Sequence, residues 1–159
     1  MNYLLRNATV IDLGAPADVT ADLETEVFQC TLRCTATPER TTVEVLAPET
    51  IAGIRAVVDP ENLRIEYDDV SLGVGGAAVV PSPVTALPAL LQALKEGSCL
   101  RSWTEREGDR TLCVREYYVT DDCTLTLWLD SETLLPLCAE FRQGERTAVR
   151  CEIQEFKYK

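Results

Sequence analysis

The chain has 159 residues, with 26 acidic and 15 basic side chains, a formal net charge of -11 and no histidine. This length fits one domain with a core of its own, and the negative field opposes binding to nucleic acid or to anionic lipid surfaces. The absence of histidine removes the commonest general base and the most frequent nitrogen ligand of zinc, which argues against most hydrolase mechanisms.

Seven cysteines are many for this length, and their odd number leaves at least one unpaired in a monomer. Cys30 and Cys34 would lie on one face of a strand, about 13 Å apart and beyond the reach of a disulfide or of a single metal ion. We therefore predict that these two are small buried apolar side chains, and we expect neither a cofactor nor a metal site. The remaining five lie on separate predicted strands, at Cys99, Cys113, Cys123, Cys138 and Cys151, and the sequence assigns no disulfide among them.

The first residues have neither the pattern of a signal peptide nor that of a membrane span, because Met1–Gly14 has one arginine and only a weak apolar run. Two interpretations stay open. The protein is cytoplasmic if the chain is native as given. It is extracytoplasmic, with a lipid anchor upstream, if an export segment was removed. We expect a single domain over 1–159, in which 1–17 form an uncertain lead-in and Tyr3–Ile11 fits a helix or a strand equally well.

The apolar pattern becomes regular from Asp18 onward. Apolar and polar residues alternate over Val19–Leu23 and again over Phe28–Cys34, which predicts two half-buried strands. A turn at Pro38–Arg40 then leads into a strand at Thr41–Leu46 that would pair antiparallel with the one before it. After a break at Pro48–Gly53 the apolar pattern returns at Ile54, and it continues over Leu63–Asp68 beyond a turn at Asp59–Asn62.

The segment Val70–Val80 places Gly73, Gly75 and Gly76 between apolar residues. It lacks the Gly-Lys-Ser/Thr ending of a phosphate-binding loop, so a nucleotide site is not expected. We interpret it as a loop or an irregular edge strand, with a movable flap at the rim of a cavity as the alternative.

The segment Ser82–Gly97 is the one predicted helix, because leucines recur in it at helical spacing and Gly97 provides a terminator. Proline is tolerated only in the first turn of a helix, so Pro88 predicts a start near Thr85. The apolar stripe consists of Leu87, Leu90, Leu91 and Leu94.

The remainder of the chain predicts an antiparallel meander, in which short turns separate successive strands. The strands are Cys99–Thr104, Arg110–Val119, Cys123–Leu129, Leu134–Phe141 and Thr147–Tyr158. Along the third of them, Cys123, Leu125, Leu127 and Leu129 alternate with polar residues, so the sheet has one apolar face that needs to be covered.

Roughly eight or nine strands would share a single helix, which cannot bury so much apolar sheet. The sheet must therefore curl. We predict a mainly β, α+β fold: a curved antiparallel half-barrel that is not closed, with the main helix covering its concave face and space for an apolar ligand beside it. The break at Pro48–Gly53 is where we expect the sheet to bend or step, which would help to leave the barrel unclosed. A fully packed sandwich without a cavity is the alternative.

Four pieces of the chain, in this order and spacing, resemble one protein family over about Thr25 to Tyr158. They are Val43–Ile54, Ser82-Pro83 ahead of the leucine-rich helix, Thr124–Asp130 followed by Leu135-Pro136, and Val149–Phe156. The family is that of the periplasmic lipoprotein carrier and the outer-membrane lipoprotein receptor, with its Gram-positive lipoprotein relatives. The resemblance implies an unclosed antiparallel barrel that binds acyl chains. It also predicts an export signal and a lipid anchor upstream. No residue of the carriers' ligand site transfers to a motif of this chain.

The favoured function is non-catalytic, extracytoplasmic binding of an acyl chain, a lipoprotein or another amphiphile. The predicted cavity wall consists of Phe28, Leu32, Val43, Val45, Leu87, Leu91, Leu94, Leu125, Leu127 and Val149. The alternative is a protein-interaction or envelope-stress sensor module for a basic partner. It would use acidic residues that we expect on neighbouring loops, namely Glu105, Glu107, Asp109 and Asp121-Asp122. An enzyme is the weakest hypothesis, because the pairs Asp68-Asp69 and Asp121-Asp122 are adjacent residues whose side chains would diverge on a strand.

Overall fold

A computed structural model describes residues 11–12, 17–22, 27–37, 39–59, 63–67, 70–73, 86–153 and 157–158. The predictions made for Tyr3 to Val10, for Gly75 and Gly76, for Ser82-Pro83 and for Asp68-Asp69 lie outside these residues.

Thirteen strands and one helix make up the described part of the chain. The strands are β1 (Ile11–Asp12), β2 (Ala17–Asp22), β3 (Val27–Ala36), β4 (Thr41–Ala47), β5 (Arg55–Val58), β6 (Leu63–Tyr67), β7 (Val70–Gly73), β8 (Cys99–Glu107), β9 (Arg110–Thr120), β10 (Cys123–Asp130), β11 (Pro136–Gln143), β12 (Arg146–Glu152) and β13 (Lys157–Tyr158); the helix is α1 (Ala86–Glu96).

All the strands belong to one antiparallel sheet, in the order β7-β6-β5-β4-β3-β2-β12-β11-β10-β9-β8. Strand β1 pairs with β13 and, beyond the end of β2, with β3. The N-terminal and C-terminal parts meet where β2 pairs with β12, with Ala21 opposite Val149 and Asp18 opposite Glu152. Among the described residues β7 and β8 remain the two ends of the order, so the sheet is an unclosed half-barrel and the predicted fold class is confirmed.

The Pro48–Gly53 break forms the connection between β4 and β5, just after a cis Ala47–Pro48 peptide bond. The backbone of Val45 makes two hydrogen bonds to the end of this connection. Its carbonyl accepts from the N–H of Gly53 at 2.9 Å, and its N–H donates to the carbonyl of Ile54 at 2.8 Å. Gly53 has a φ of 94°, a conformation that favours glycine. The neighbouring strand β3 has a bulge at Thr31/Leu32, and the ends of the strand order in the described residues lie elsewhere, at β7 and β8.

The helix α1 lies on the apolar face of the sheet and packs against β3, β4 and β12. Its four predicted leucines are all buried, whereas Gln92 is exposed. The helix ends at Glu96, and the residue after it has no room for a side chain, because a Cβ at Gly97 would lie 2.5 Å from the Ala93 carbonyl oxygen.

Several element boundaries differ from the prediction. Strand β8 continues beyond Thr104 to Glu107, and the predicted last strand is divided into β12 and β13. Strand β11 starts at Pro136 instead of Leu134, because the Asp130 carboxylate accepts the N–H groups of Glu132 at 2.8 Å and Thr133 at 3.1 Å and holds a turn there. The first residues of Val70–Val80 form the edge strand β7, as one of the two interpretations predicted.

Candidate functional site

The predicted cavity wall is brought together in one hydrophobic cluster between the sheet and α1. Nine of its ten residues are buried there: Leu32, Val43, Val45, Leu87, Leu91, Leu94, Leu125, Leu127 and Val149. Phe28 lies in β3 opposite Ala21, but its side chain is outside the described part of the chain. Contact of these residues with a ligand stays a prediction.

Strand register explains why these distant residues share one face. Leu125 lies opposite Tyr117 on one side and Phe141 on the other, and Phe141 lies opposite Val149. Directly opposed residues of antiparallel strands point to the same side of a sheet. This apolar concave face therefore runs without interruption from β9 to β12.

Three large buried residues of this cluster are absent from the predicted wall: Leu90, Tyr117 and Phe141. The leucine stripe had already placed Leu90 on the apolar side of α1. Phe141 follows Ala139 at strand spacing, a signal that could have found it. No sequence signal distinguishes buried Tyr117 from its neighbour Tyr118, which is 48% exposed.

The concave face becomes polar and exposed at its β8 end. Strand β8 contributes Ser102 and Thr104, which lie opposite Arg115 and Cys113 of β9 and are both exposed. Because α1 packs against β3, β4 and β12, this end of the face lies away from the strands that the helix covers.

Arg115 and Tyr117 mark the boundary between the apolar and polar parts of the concave face. They lie opposite Leu127 and Leu125 of β10, respectively. The Tyr117 hydroxyl is buried, and no group in the described part of the chain meets the geometry of a hydrogen bond with it. A polar interaction with the Tyr117 side chain nevertheless raises the pKa of the Arg115 guanidinium.

The outer face of the sheet carries a pair of tryptophans bridged by a carboxylate. Glu105 accepts hydrogen bonds from the indole N–H of Trp103 at 3.0 Å and of Trp128 at 3.1 Å. These two bonds, with that of Trp103 the stronger, lower the pKa of the Glu105 carboxyl. The Arg101 guanidinium lies 5.0 Å from the centre of the Trp103 ring, in cation–π contact.

Ion pairs continue across the outer face. Arg101 donates to Glu116 at 2.9 Å, and Glu140 accepts from Arg142 at 3.0 Å and also from Arg150. Exposed pairs of this kind contribute little to stability, so their main effect is to order the side chains of neighbouring strands.

The acidic residues that were predicted to lie on neighbouring loops and to serve a basic partner lie at opposite ends of β9. Glu107 and Asp109 lie at the β8–β9 hairpin, whereas Asp121-Asp122 lie at the β9–β10 hairpin, at the other end of β9. An eleven-residue strand spans about 35 Å, so these groups form two sites. Glu105 lies within β8, where it binds the indoles, and is not a loop residue. The prediction that these residues lie on neighbouring loops is therefore wrong.

A groove of about 470 Å³ lies beside the β4–β5 connection. Its lining is mostly polar and consists of Thr20, Gln29, Cys30, Thr31, Ala47, Pro48 and Glu152. Neither its position nor its polarity matches the predicted acyl-chain cavity.

The seven cysteines are all thiols. Cys30 and Cys34 are buried, as predicted, together with Cys123 and Cys151. In the described part of the chain no three Cys, Asp or Glu side chains are grouped to hold a metal ion. Among the same residues, no helix combines the length and the apolar composition needed to cross a membrane.

No protein-family model matches the sequence, and no curated protein matches it. Solved structures do share its fold. A DUF1329 family protein from Desulfovibrio piger is 10% identical with a TM-score of 0.61, over 99% of this chain and 88% of that chain. An uncharacterized conserved protein from Thermus thermophilus is 13% identical with a TM-score of 0.59, over 99% of this chain and 83% of that chain. A putative outer membrane lipoprotein-sorting protein domain from Vibrio parahaemolyticus is 10% identical with a TM-score of 0.50, over 94% of this chain and 85% of that chain.

Proposed function

Because the chain has a lipoprotein-carrier-like fold, we propose that it is a non-catalytic, extracytoplasmic binding protein for an acyl chain of a lipoprotein or another amphiphile. One observation carries the proposal. Nine predicted wall residues form a single aliphatic layer between the concave face and α1, and the main contacts of this helix are with three strands of the thirteen-stranded sheet.

The ligand would enter between α1 and the sheet. Leu87 and Leu94 are fully buried there, so an acyl chain has to displace their contacts with the sheet. Each buried methylene group of the ligand contributes about 0.8 kcal/mol, which compensates for the leucine contacts that are lost. A helix of eleven residues can shift as one body, so α1 would act as the moving wall of the site.

The chemistry of the polar groups supports binding over catalysis. The carboxylates of Glu105 and Glu140 are engaged by tryptophan and arginine donors on the outer face, away from the apolar layer. Burial raises the pKa of the Cys123 and Cys151 thiols, which disfavours the thiolate that a nucleophile or a reactive thiol requires.

Native mass spectrometry of gently purified protein and titration with a fluorescent hexadecanoyl probe test this proposal. We expect one bound amphiphile per chain, and a Leu91→Phe variant to bind the probe at least about 10-fold more weakly because the larger ring fills the layer. Leu100→Phe is the matched control, since Leu100 is 54% exposed and lies outside the apolar cluster. The proposal fails if folded wild-type protein carries no amphiphile and does not bind the probe.

The second candidate is a protein-interaction module, and the observation that favours it is the edge strand β8. Eight of its nine residues are exposed, and among the described residues β9 is its one partner strand. Such an edge can accept an extended segment of another protein. A basic partner captured by the wild type and lost on Leu100→Lys substitution, with no probe binding in either protein, would favour this function over acyl-chain binding.

A further inference from the structure

The concave face contains a cation for which the described part of the chain provides no counter-ion. Five arginines elsewhere are ion-paired, in the pairs Arg64–Glu66, Arg101–Glu116, Arg110–Asp130, Arg142–Glu140 and Arg150–Glu140. Arg115 is half-buried, and no carboxylate of the described residues lies within ion-pair distance of it. Four other arginines also have no ion pair among the described residues, but all of them are exposed: Arg33, Arg40, Arg55 and Arg106.

The neighbouring Tyr117 adds a buried hydroxyl to this cation. Its side chain is 1% exposed, and its buried hydroxyl has no hydrogen-bond partner among the described residues. A buried hydroxyl that makes no hydrogen bond opposes folding, and the cost is recovered when a ligand supplies the acceptor.

These two donors lie where an amphiphile would change from apolar to polar. Leu125 and Leu127, opposite Tyr117 and Arg115, are fully buried in the apolar cluster. On the other side of Arg115, Ser102 is exposed on the edge strand and offers a further hydroxyl. An acyl chain held along the apolar layer would therefore bring its head group to Arg115 and Tyr117, next to solvent.

We propose that Arg115 and Tyr117 bind an anionic head group, a carboxylate or a phosphate, of the amphiphile whose chain lies on the concave face. This inference rests on the proposed function. A guanidinium presents its N–H donors in a planar fork that fits both anions, and a phenol donates one more hydrogen bond. Neutral lipids of the same chain length would gain only the apolar contacts.

The test compares ligands of one chain length in displacement titrations at pH 8: hexadecanoate, hexadecyl phosphate and the neutral hexadecanol, with inorganic phosphate as the free anion. We expect the two anionic amphiphiles to bind at least about 10-fold more tightly than hexadecanol. Arg115→Gln should remove this preference and leave the affinity for hexadecanol unchanged. Arg115→Lys, which keeps the positive charge, should retain part of the preference for the anionic amphiphiles.

Tyr117→Phe is the second variant. It removes an unpartnered hydroxyl and keeps the ring, so we expect the variant to fold at least as stably as the wild type and to bind the anionic amphiphiles several-fold more weakly. Arg106→Gln, which removes an exposed arginine of the adjacent edge strand, is the control and should leave every affinity unchanged.

The outcomes separate the two proposals. If the wild type binds hexadecanol as tightly as the anionic amphiphiles, the head-group site is wrong and acyl-chain binding stands. If inorganic phosphate binds as tightly as hexadecyl phosphate, the site takes a free anion, which also overturns the head-group assignment. If none of the three amphiphiles binds, the proposed function fails and the head-group site fails with it.

Discussion

The Glu105 carboxylate joins two strands that are not neighbours in the sheet. Trp103 of β8 and Trp128 of β10 both donate to it, and Val114 of the intervening β9 lies opposite each tryptophan. Val114 is fully buried although α1 lies on the other face of the sheet. The two indoles therefore cover this part of the outer face.

The ionisation of Glu105 predicts an acid transition in tryptophan fluorescence. The pKa of this carboxyl is lowered, so the two hydrogen bonds are fully present above the ordinary glutamate value and are lost as the pH falls through the lower, folded-state value. Both tryptophans of the chain belong to this site, so the emission should be constant from pH 7 to about 4.5 and change below that.

Glu105→Gln should abolish this transition at a cost in stability below about 1 kcal/mol, since the site is exposed. Glu107→Gln, two residues further along the chain, is the control and should retain the transition. If Glu105→Gln titrates like the wild type, the carboxylate does not organise the two indoles.

The thiols should differ widely in reactivity. Cys99 is exposed, whereas burial raises the pKa of Cys138 to about 11 and also raises that of Cys151. At pH 8 only about one Cys138 side chain in a thousand would be a thiolate, which is the form that reacts. We expect iodoacetamide to modify Cys99 of the folded protein first, and Cys138 and Cys151 only after denaturation, as followed by peptide mass spectrometry. Equal rates at Cys99 and Cys138 in folded protein would contradict the described burial.

At the level of elements, the connection between β10 and β11 shows how a side chain sets a strand boundary. Asp130 accepts two backbone N–H groups of the turn, and these bonds lower the pKa of its carboxyl. The turn ends with Leu134 at a φ of 60°, which is unusual for a residue other than glycine. The apolar sequence at Leu134-Leu135 resembles the start of a strand, but the Asp130 hydrogen bonds hold these residues in the turn.

The stability of the fold should depend on the contact between α1 and the sheet. Leu90 is fully buried in the cluster, so Leu90→Ala should lower the free energy of unfolding by about 2–5 kcal/mol, through lost apolar burial and the cavity that remains. The same substitution at Leu100, which is 54% exposed, should cost less than about 1 kcal/mol. Urea denaturation followed by circular dichroism measures both values. A loss at Leu90 no larger than that at Leu100 would show that α1 does not hold the core.

The molecule as a whole carries a net charge of -11, and this repulsion opposes the compact state. Raising sodium chloride from about 0.02 to about 0.3 M shortens the screening length from about 20 Å to about 6 Å. We expect the melting temperature at pH 7 to rise by about 3 °C or more, because the ion pairs that are screened at the same time are exposed and weak.

The same salt series at pH 4.4, near the isoelectric point of the sequence, is the control, and no rise is expected there. A melting temperature that falls with salt at pH 7 would mean that the outer-face ion pairs outweigh the general repulsion.

The alternation of apolar and polar residues along each strand was sufficient to predict which face of most strands is buried. The apolar residues Cys123, Leu125, Leu127 and Leu129 are buried as predicted. Thr126, expected on the polar face, is also buried, at 4% exposure, because it lies between the ion-paired side chains of Glu116 and Glu140. That shielding depends on which strands are neighbours, and a single strand does not contain this information.

The sequence by itself determined the mainly β class, the position of the helix, the apolar face of each regular strand and most of the predicted wall. These follow from the backbone periods of strand and helix, which are properties of consecutive residues. The tertiary structure alone decided that β2 pairs with β12, that α1 lies on β3, β4 and β12, and that Arg115 and Tyr117 lie opposite Leu127 and Leu125 of the apolar layer. These features depend on contacts between segments distant in the chain, where the choice of partner depends on the packing of the whole sheet.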